Sequence, residues 1–156
     1  MREILFKGKL KANGRWIEGF YCRIRETTYC TKEDYDRNPV PTHHCIAVDE
    51  MTDWGLPNKL RLYEVDPETI CQFTGLCDKY GNKIWENDIC DRKEPYPEIV
   101  KMYNGDWVLD YSYSCGKDYG YCYCNLGFYA VEKKEVEVIG NIFDNPELIA
   151  ERRKDE

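Results

Sequence analysis

Apolar and polar residues alternate in two short runs, residues 71–76 and 83–90, on either side of a polar turn that contains Gly81. Alternation with a period of two is typical of a half-buried β-strand. A glycine in the turn supplies the left-handed backbone that tight hairpins need. The stretch 65–90 therefore predicts a β-hairpin, and we expect the rest of the chain to be organised around it.

Two more hairpins are predicted by the dipeptides Asn13-Gly14 and Asn104-Gly105, which favour two-residue turns. Alternating runs flank them at residues 5–11 and 15–25 in the first case, and at 98–103 and 106–113 in the second. The periodicity places Trp16, Phe20, Cys22 and Ile24 on one face of the first hairpin, and Trp107, Leu109, Tyr111 and Tyr113 on one face of the other.

The remaining stretches are less regular. Residues 26–45 predict a long surface loop with a helical turn near residues 32–35. Short strands are predicted at 46–48, 60–65 and 136–143, and the connection 49–58 is expected to tuck Trp54 inward. Asn145, Pro146 and Glu147 are a helix-start pattern, so we expect a short helix from Pro146 to about Arg153.

The expected fold is mainly β. About five short strands within residues 70–143 predict a small SH3-like β-barrel, because a flat sheet of that size leaves bare edges. We divide the chain into an N-terminal hairpin and loop region at 1–66, the barrel at 67–145 and a helical tail at 146–156. Six residues are assigned structural turn roles: Gly14, Gly75, Gly81, Asp88, Gly105 and Gly140.

Composition supports this fold class and narrows the setting. The chain of 156 residues is 42% hydrophobic and 14% aromatic, a mixture that favours strands. It has no apolar run of 18 residues and no apolar segment near Met1 that resembles a signal peptide. We therefore expect a soluble, cytoplasmic protein.

The charge is unevenly distributed. Lys and Arg balance Asp and Glu at 11 each in residues 1–66, whereas residues 67–156 have 11 basic and 18 acidic residues. Proteins that bind duplex DNA usually present a basic face to the phosphates, so the acidic half disfavours that function without excluding a local basic patch.

The nine cysteines are interpreted as reduced thiols, because their number is odd and no two are spaced as Cys-x-x-Cys. Two groups of residues have side chains that could coordinate zinc. One contains Cys30, His43, His44 and Cys45, and the other contains Cys115, Cys122 and Cys124. Neither has the paired ligand spacing of a structural zinc site. We predict neither a metal site nor a cofactor.

No catalytic constellation is identified, and an enzyme is not expected. Cys45 beside a histidine lacks an orienting third group. Glu86 and Asp88 share a strand face, and Asp78 or Asp91 could approach them, but acids beside turns usually bind turn amides. No glycine-rich phosphate-binding loop is present.

A tyrosine-rich segment is the strongest candidate for recognition. Tyr111, Tyr113, Tyr121 and Tyr123 could form an aromatic surface that grips a protein or stacks on bases. The alternative is that about half of them belong to the core. Few Lys or Arg residues accompany them, so we predict protein binding or self-association in preference to nucleic-acid binding.

Residues 72–89 and 138–148 resemble the YopX-like family of phage and prophage proteins. The family's amino-terminal pattern is similar to Met1-Arg2-Glu3-Ile4-Leu5-Phe6-Lys7-Gly8-Lys9 and to Gly14-Arg15-Trp16-Ile17-Glu18-Gly19. Cys71 and Asn87 stand where the family has Gly. Asn tolerates a left-handed backbone, and Cys71 indicates an ordinary strand position.

The resemblance implies a C-terminal SH3-type barrel, a phage or prophage origin and a bacterial host cell, with no catalytic residues to carry over. We therefore expect an accessory protein that is not an enzyme and that binds a protein partner or a second copy of itself. The alternative is a nucleic-acid-associated protein or DNA mimic.

Overall fold

The computed structural model describes residues 3–115 and 119–150, and their fold is mainly antiparallel β-structure. The chain divides into two units, one comprising Ile4–Cys71 and the other beginning at Gln72. We call them the N-terminal and C-terminal units and describe each by itself. Within the described residues, no helix is long and apolar enough to cross a membrane.

The N-terminal unit contains four strands that are hydrogen-bonded in the order β4-β3-β2-β1. Its elements are β1 (Phe6–Lys9), β2 (Trp16–Arg25), α1 (Lys32–Arg37), β3 (Thr42–Glu50), β4 (Lys59–Glu64) and a 3-10 turn, Pro67–Thr69. The predicted first hairpin is confirmed, with Gly14 at a φ of 70°. The predicted helical turn is confirmed as α1, which Thr31 caps by accepting a hydrogen bond from the Asp34 N–H.

The inner face of this sheet is packed closely. Val65 and Ile46 have no exposed surface, and Val65 pairs with Leu10, so the end of β4 meets the end of β1. Gly19 allows β2 and β3 to approach closely, because a Cβ there would lie 2.3 Å from the Ala47 carbonyl oxygen. The opposite face of the sheet is the outer face, which carries Phe20, Ile24, Leu60 and Leu62.

The C-terminal unit contains a hairpin and a five-stranded sheet in the order β10-β9-β8-β7-β11. The strands are β5 (Cys71–Cys77), β6 (Lys83–Trp85), β7 (Asp88–Asp91), β8 (Glu98–Tyr103), β9 (Asp106–Asp110), β10 (Tyr123–Asn125) and β11 (Glu137–Asn141). A 3-10 turn (Ser112–Ser114), a π-helical segment (Phe128–Lys133) and α2 (Glu147–Ala150) complete it. Its core includes Ile84, Cys90, Val100, Leu109, Leu126 and Val136.

Most local predictions for this unit are confirmed. The β5–β6 and β8–β9 hairpins form, with Gly81 and Gly105 at positive φ. Asn87 is left-handed at a φ of 65°, and Cys71 begins a strand. Gly75 also has a positive φ, at an irregularity in β5. The predicted terminal helix is present as α2, while residues 151–153 lie outside the described residues.

The prediction of an SH3-like barrel in residues 67–145 is corrected. In the described chain the five-stranded sheet ends at β10 and β11, which do not pair, so it is open. The reason is that β5 and β6 pair with each other and belong to neither end of this five-stranded sheet. Gly140 lies at a register shift between β11 and β7, where a Cβ would lie 2.5 Å from the Asn145 Oδ1. The mainly β class stands, and the SH3-like closure is not confirmed.

Candidate functional site

The outer face of the N-terminal unit exposes large apolar side chains. Phe20 is 49% exposed, Leu62 is 47% exposed and Leu60 is 63% exposed. The register places Phe20 opposite Ala47 and Ala47 opposite Leu62, so these three side chains form a row across β2, β3 and β4. Contiguous apolar surface of this kind is typical of interaction sites.

The turn between β3 and β4 extends this apolar surface. Met51, Trp54 and Leu56 are all exposed, and Trp54 is 88% exposed. The prediction that this connection tucks Trp54 inward is therefore wrong. The Trp54 N–H donates to the Asp53 carboxylate at 2.7 Å and the Leu56 N–H donates to the Asp53 carbonyl at 3.3 Å, so the tip is a local turn.

Strand β4 lies at the end of the sheet in the N-terminal unit. The Val65 N–H donates to the His44 carbonyl at 2.9 Å, so residues 61, 63 and 65 direct their backbone groups toward β3. Because backbone N–H and C=O groups alternate in direction along a strand, those of Leu60 and Leu62 point away from β3. The exposed strand edge and the apolar outer face thus coincide at these two leucines.

His43 joins two carboxylates on the outer face. Its Nδ1 lies 2.9 Å from Glu64 and its Nε2 lies 2.8 Å from Glu26, while Lys11 contacts the same Glu64 oxygen at 2.6 Å. The hydrogen bond to Glu64, followed by that to Glu26, raises the pKa of His43. The same contacts, with that to Lys11 the largest, lower the pKa of Glu64.

Of the residues considered for zinc or for nucleophilic chemistry, those in the N-terminal unit do not converge. In the other group, a hydrogen bond between the Cys115 and Cys122 side chains raises the pKa of the Cys122 thiol. His44 Nδ1 lies 2.7 Å from the Tyr21 hydroxyl, and Cys30 is exposed elsewhere. Burial raises the pKa of the Cys45 thiol, which opposes formation of the thiolate that zinc binding or nucleophilic attack needs. In residues 3–115 and 119–150, no three His, Cys, Asp or Glu side chains form a metal-ligand cluster.

Two of the four predicted tyrosines belong to an aromatic cluster in the C-terminal unit. Tyr121 and Tyr123 gather around Tyr103, whose ring lies 4.5 Å from the Tyr121 ring and 5.0 Å from the Tyr123 ring, centre to centre. Tyr121 and Tyr123 are each more than 40% exposed. Tyr103, on β8, was not among the predicted residues, and only the β8–β10 sheet order brings it to this cluster.

Tyr111 and Tyr113 are placed elsewhere because β9 ends at Asp110 and a 3-10 turn follows. Tyr111 stacks on Tyr96 at 5.2 Å, and the Tyr113 hydroxyl donates to the Pro97 carbonyl at 2.6 Å. Burial raises the pKa of Tyr111 to about 12. These two rings therefore have local packing partners and lie outside the Tyr103 cluster.

An ion pair with one buried partner, Asp110, lies beside the cluster of Tyr103, Tyr121 and Tyr123. Asp110 pairs with Tyr123 in the sheet register and binds the Lys101 ammonium at 2.5 Å. Burial alone would raise the pKa of Asp110, but hydrogen bonds from Lys101 and Ser112 lower it. Because Lys101 already has this acidic partner, its charge is compensated and is not available to a nucleic-acid backbone.

The predicted acidic candidates are all occupied by local hydrogen bonds. Asp88 accepts from the Trp85 N–H at 2.8 Å, which confirms its turn role, and Glu86 accepts from the Gln72 N–H. Asp91 accepts from the Lys93 N–H. Asp78 is buried and accepts from the N–H groups of Tyr80, Asn82 and Val138, contacts that the sequence did not indicate.

Comparison with known proteins places the chain in a family. A family model described as YopX protein matches residues 6–150. No protein with a curated description matches. The crystal structure of protein EF1440 from Enterococcus faecalis is similar in fold, with a TM-score of 0.53 and 18% sequence identity over 96% of this chain and 99% of that one. With the family model covering nearly its whole length, the chain belongs to the YopX family.

Proposed function

We propose that this protein is a binding module without catalytic activity, and that it associates with a second copy of itself through the edge of β4. The observation that carries the proposal is the exposure of Leu60 and Leu62 on a strand edge that no described strand covers. Strand edges with free backbone groups readily accept another strand.

The edge is suited to an identical partner. If the two β4 strands pair antiparallel with Leu60 of each opposite Leu62 of the other, the exposed leucines of the two outer faces lie side by side. Arg61 lies on the two-fold axis, on the opposite face of the sheet. Each Arg61 already has an acidic partner in its own chain, Glu50, at 3.2 Å, so the repulsion between the two copies is reduced.

The same proposal includes where the protein acts in the cell. Its support is the YopX family membership and the nine cysteines, which are free thiols in the structure. Thiols that stay reduced are typical of the cytoplasm. We propose a phage or prophage accessory protein that acts in the cytoplasm of the bacterial host.

Light scattering coupled to size-exclusion chromatography tests the association. Wild-type protein should elute at twice the mass of the chain and dissociate on dilution. The double variant Leu60→Lys/Leu62→Lys should be monomeric, because it places charges at the centre of the contact. The matched control is Val131→Lys, which replaces another exposed apolar residue in the C-terminal unit. A monomeric wild type, or a double variant that remains dimeric, contradicts the proposal.

A proline variant separates edge pairing from general apolar contact. Leu62→Pro removes an N–H that points away from β3, so the monomer should keep its fold while the dimer is lost. Arg61→Pro removes an N–H directed at β3 and should lower the melting temperature. If Leu62→Pro folds and remains dimeric, the association does not use the strand edge.

A further inference from the structure

A basic pocket of about 250 Å³ lies within the C-terminal unit. Four cationic side chains and one acidic side chain line it: Lys79, Arg92, Lys93, Lys134 and Glu135. This concentration of positive charge contrasts with the net charge of −7 of the whole chain. The positive charge is therefore a local feature of this pocket, opposite in sign to the net charge of the chain.

Two of the lining lysines have an uncommon backbone conformation. Lys93 has a φ of 64° and Lys134 a φ of 55°. In the described chain, the other non-glycine residues with positive φ are Asn87 and Asn104, a residue type that adopts this conformation readily. Lysine has no such preference, so the strain at both positions points to a role for the side chains they carry.

Local contacts hold both lysines in place. The Lys93 N–H donates to the Asp91 carboxylate at 2.7 Å. Lys134 ends the π-helical segment Phe128–Lys133, and its N–H donates to the Tyr129 carbonyl. π-helical turns are rare and frequently lie at functional sites. Hydrogen bonds therefore fix the main chain at both lysines, from which the two side chains reach the pocket.

The charges of the pocket are only partly compensated. Lys79 binds Glu137 at 2.6 Å, and Arg92 binds Glu98 through its Nε and Nη2 atoms. The Arg92 Nη1 atom is 3.9 Å from Glu94, too far for a hydrogen bond. Lys93 and Lys134 form no ion pair with an acid among residues 3–115 and 119–150.

Arg92 is the fixed point of the pocket. Its guanidinium lies 3.8 Å from the centre of the Tyr129 ring, and its side chain is 5% exposed. The bidentate contact with Glu98 fixes the guanidinium plane, so the orientation of Nη1 is set as well. An anion in the pocket could therefore gain hydrogen bonds from a preorganised group.

We propose that this pocket binds a phosphate group. A tetrahedral oxyanion can accept hydrogen bonds from Arg92 Nη1 and from the two lysine ammonium groups at once. Pockets for drug-sized molecules are typically about 300–1,000 Å³, so this volume suits a phosphate group better than a whole nucleotide. Phosphate binding goes beyond the proposed self-association, which involves the other unit.

Titration of the 15N-labelled protein with inorganic phosphate, followed by NMR, tests the site against chloride at equal ionic strength. The backbone amides of Lys93 and Lys134 and the Arg92 Nε–H should shift with phosphate alone. Adenosine 5′-monophosphate and adenosine distinguish the sources of the group. If the site accepts a terminal phosphate, adenosine 5′-monophosphate should shift the same resonances as inorganic phosphate. Adenosine, which has no phosphate, should shift none of them.

Lys93→Gly and Lys134→Gly separate the side chain from the backbone. Glycine is at ease at positive φ, so the melting temperature should stay or rise, while the affinity for phosphate should fall about tenfold for each variant. Lys133→Gln is the matched control, because it removes a neighbouring charge that does not line the pocket. Shifts that are equal in chloride and phosphate, or unchanged affinity in both glycine variants, would overturn the proposal.

Discussion

The protonation of His43 depends on two acidic neighbours, Glu64 and Glu26. Glu64 and Glu26 accept from its two ring nitrogens when the imidazole is charged, so both contacts favour the protonated form. A raised pKa means that this contribution to folding is fully present below the ordinary histidine value. It is lost as the pH rises through the folded-state pKa.

We expect the imidazole of His43 to titrate above pH 6.5 in NMR spectra, and the Glu64→Gln variant to move the midpoint down because the first of its two acidic partners is lost. A His44→Asn variant identifies the resonances of the second histidine. A midpoint at or below 6.5, or one that Glu64→Gln leaves unchanged, would show that the two carboxylates do not hold the ring in solution.

Residue-scale predictions from the sequence succeeded where the cause is local. Asn87 has the left-handed backbone that its side chain tolerates, and Asp88 binds a turn amide. The Trp54 prediction failed because it relied on the general tendency of tryptophan to be buried, whereas this side chain lies exposed at a turn. Tyr103 was missed because its contacts with Tyr121 and Tyr123 arise only from sheet order.

At the scale of elements, Asp78 links the turn between β5 and β6 to β11. One oxygen accepts from Tyr80 and Asn82 within the turn, and the other accepts from the Val138 N–H at 3.2 Å. Burial acts to raise the pKa of Asp78, but these hydrogen bonds, led by that from Asn82, lower it. The carboxylate thus connects the hairpin turn to β11 of the sheet.

Asp78→Asn should lower the free energy of unfolding at pH 7 by about 2 kcal/mol, because the hydrogen bonds lose the charge that strengthens them. A lowered pKa gives stability that is present above the unfolded value near 4 and lost as the pH falls through the folded value. Urea unfolding at a series of pH values should therefore show the difference from wild type shrinking below about pH 4. Asp36→Asn, at an exposed site in α1, is the control, and a pH-independent difference would contradict this role.

The elements that the sequence predicted are those whose cause is local, and the one that it missed depends on distant packing. The hairpins at Gly14 and Gly105 were predictable, since each turn carries its own conformational signal. The π-helical segment Phe128–Lys133 was not predicted, because the charged run beside it is typical of a solvated connection. Its course is set by packing, with Ala130 buried in the core.

For the whole molecule, the mainly β class was predictable from composition and alternation, whereas the strand order was not. Closure of the five-stranded sheet would require its two ends to pair, and nothing in the residues of β10 or β11 specifies that partner. The exposed edge of β4 was missed for the same reason. Its alternation correctly predicted a strand, but the leucines on it were not recognised as solvent-exposed.

The central claim is that two copies pair through β4, and a disulfide trap at Arg61 tests it most directly. In the proposed register the two Arg61 positions face each other, within reach of a disulfide. Arg61→Cys, oxidised with glutathione disulfide and mapped by peptide mass spectrometry, should give a symmetric link between two position-61 peptides, while Asp36→Cys should not give the equivalent link. A protein that stays monomeric, or is linked only through its native cysteines, would contradict the account.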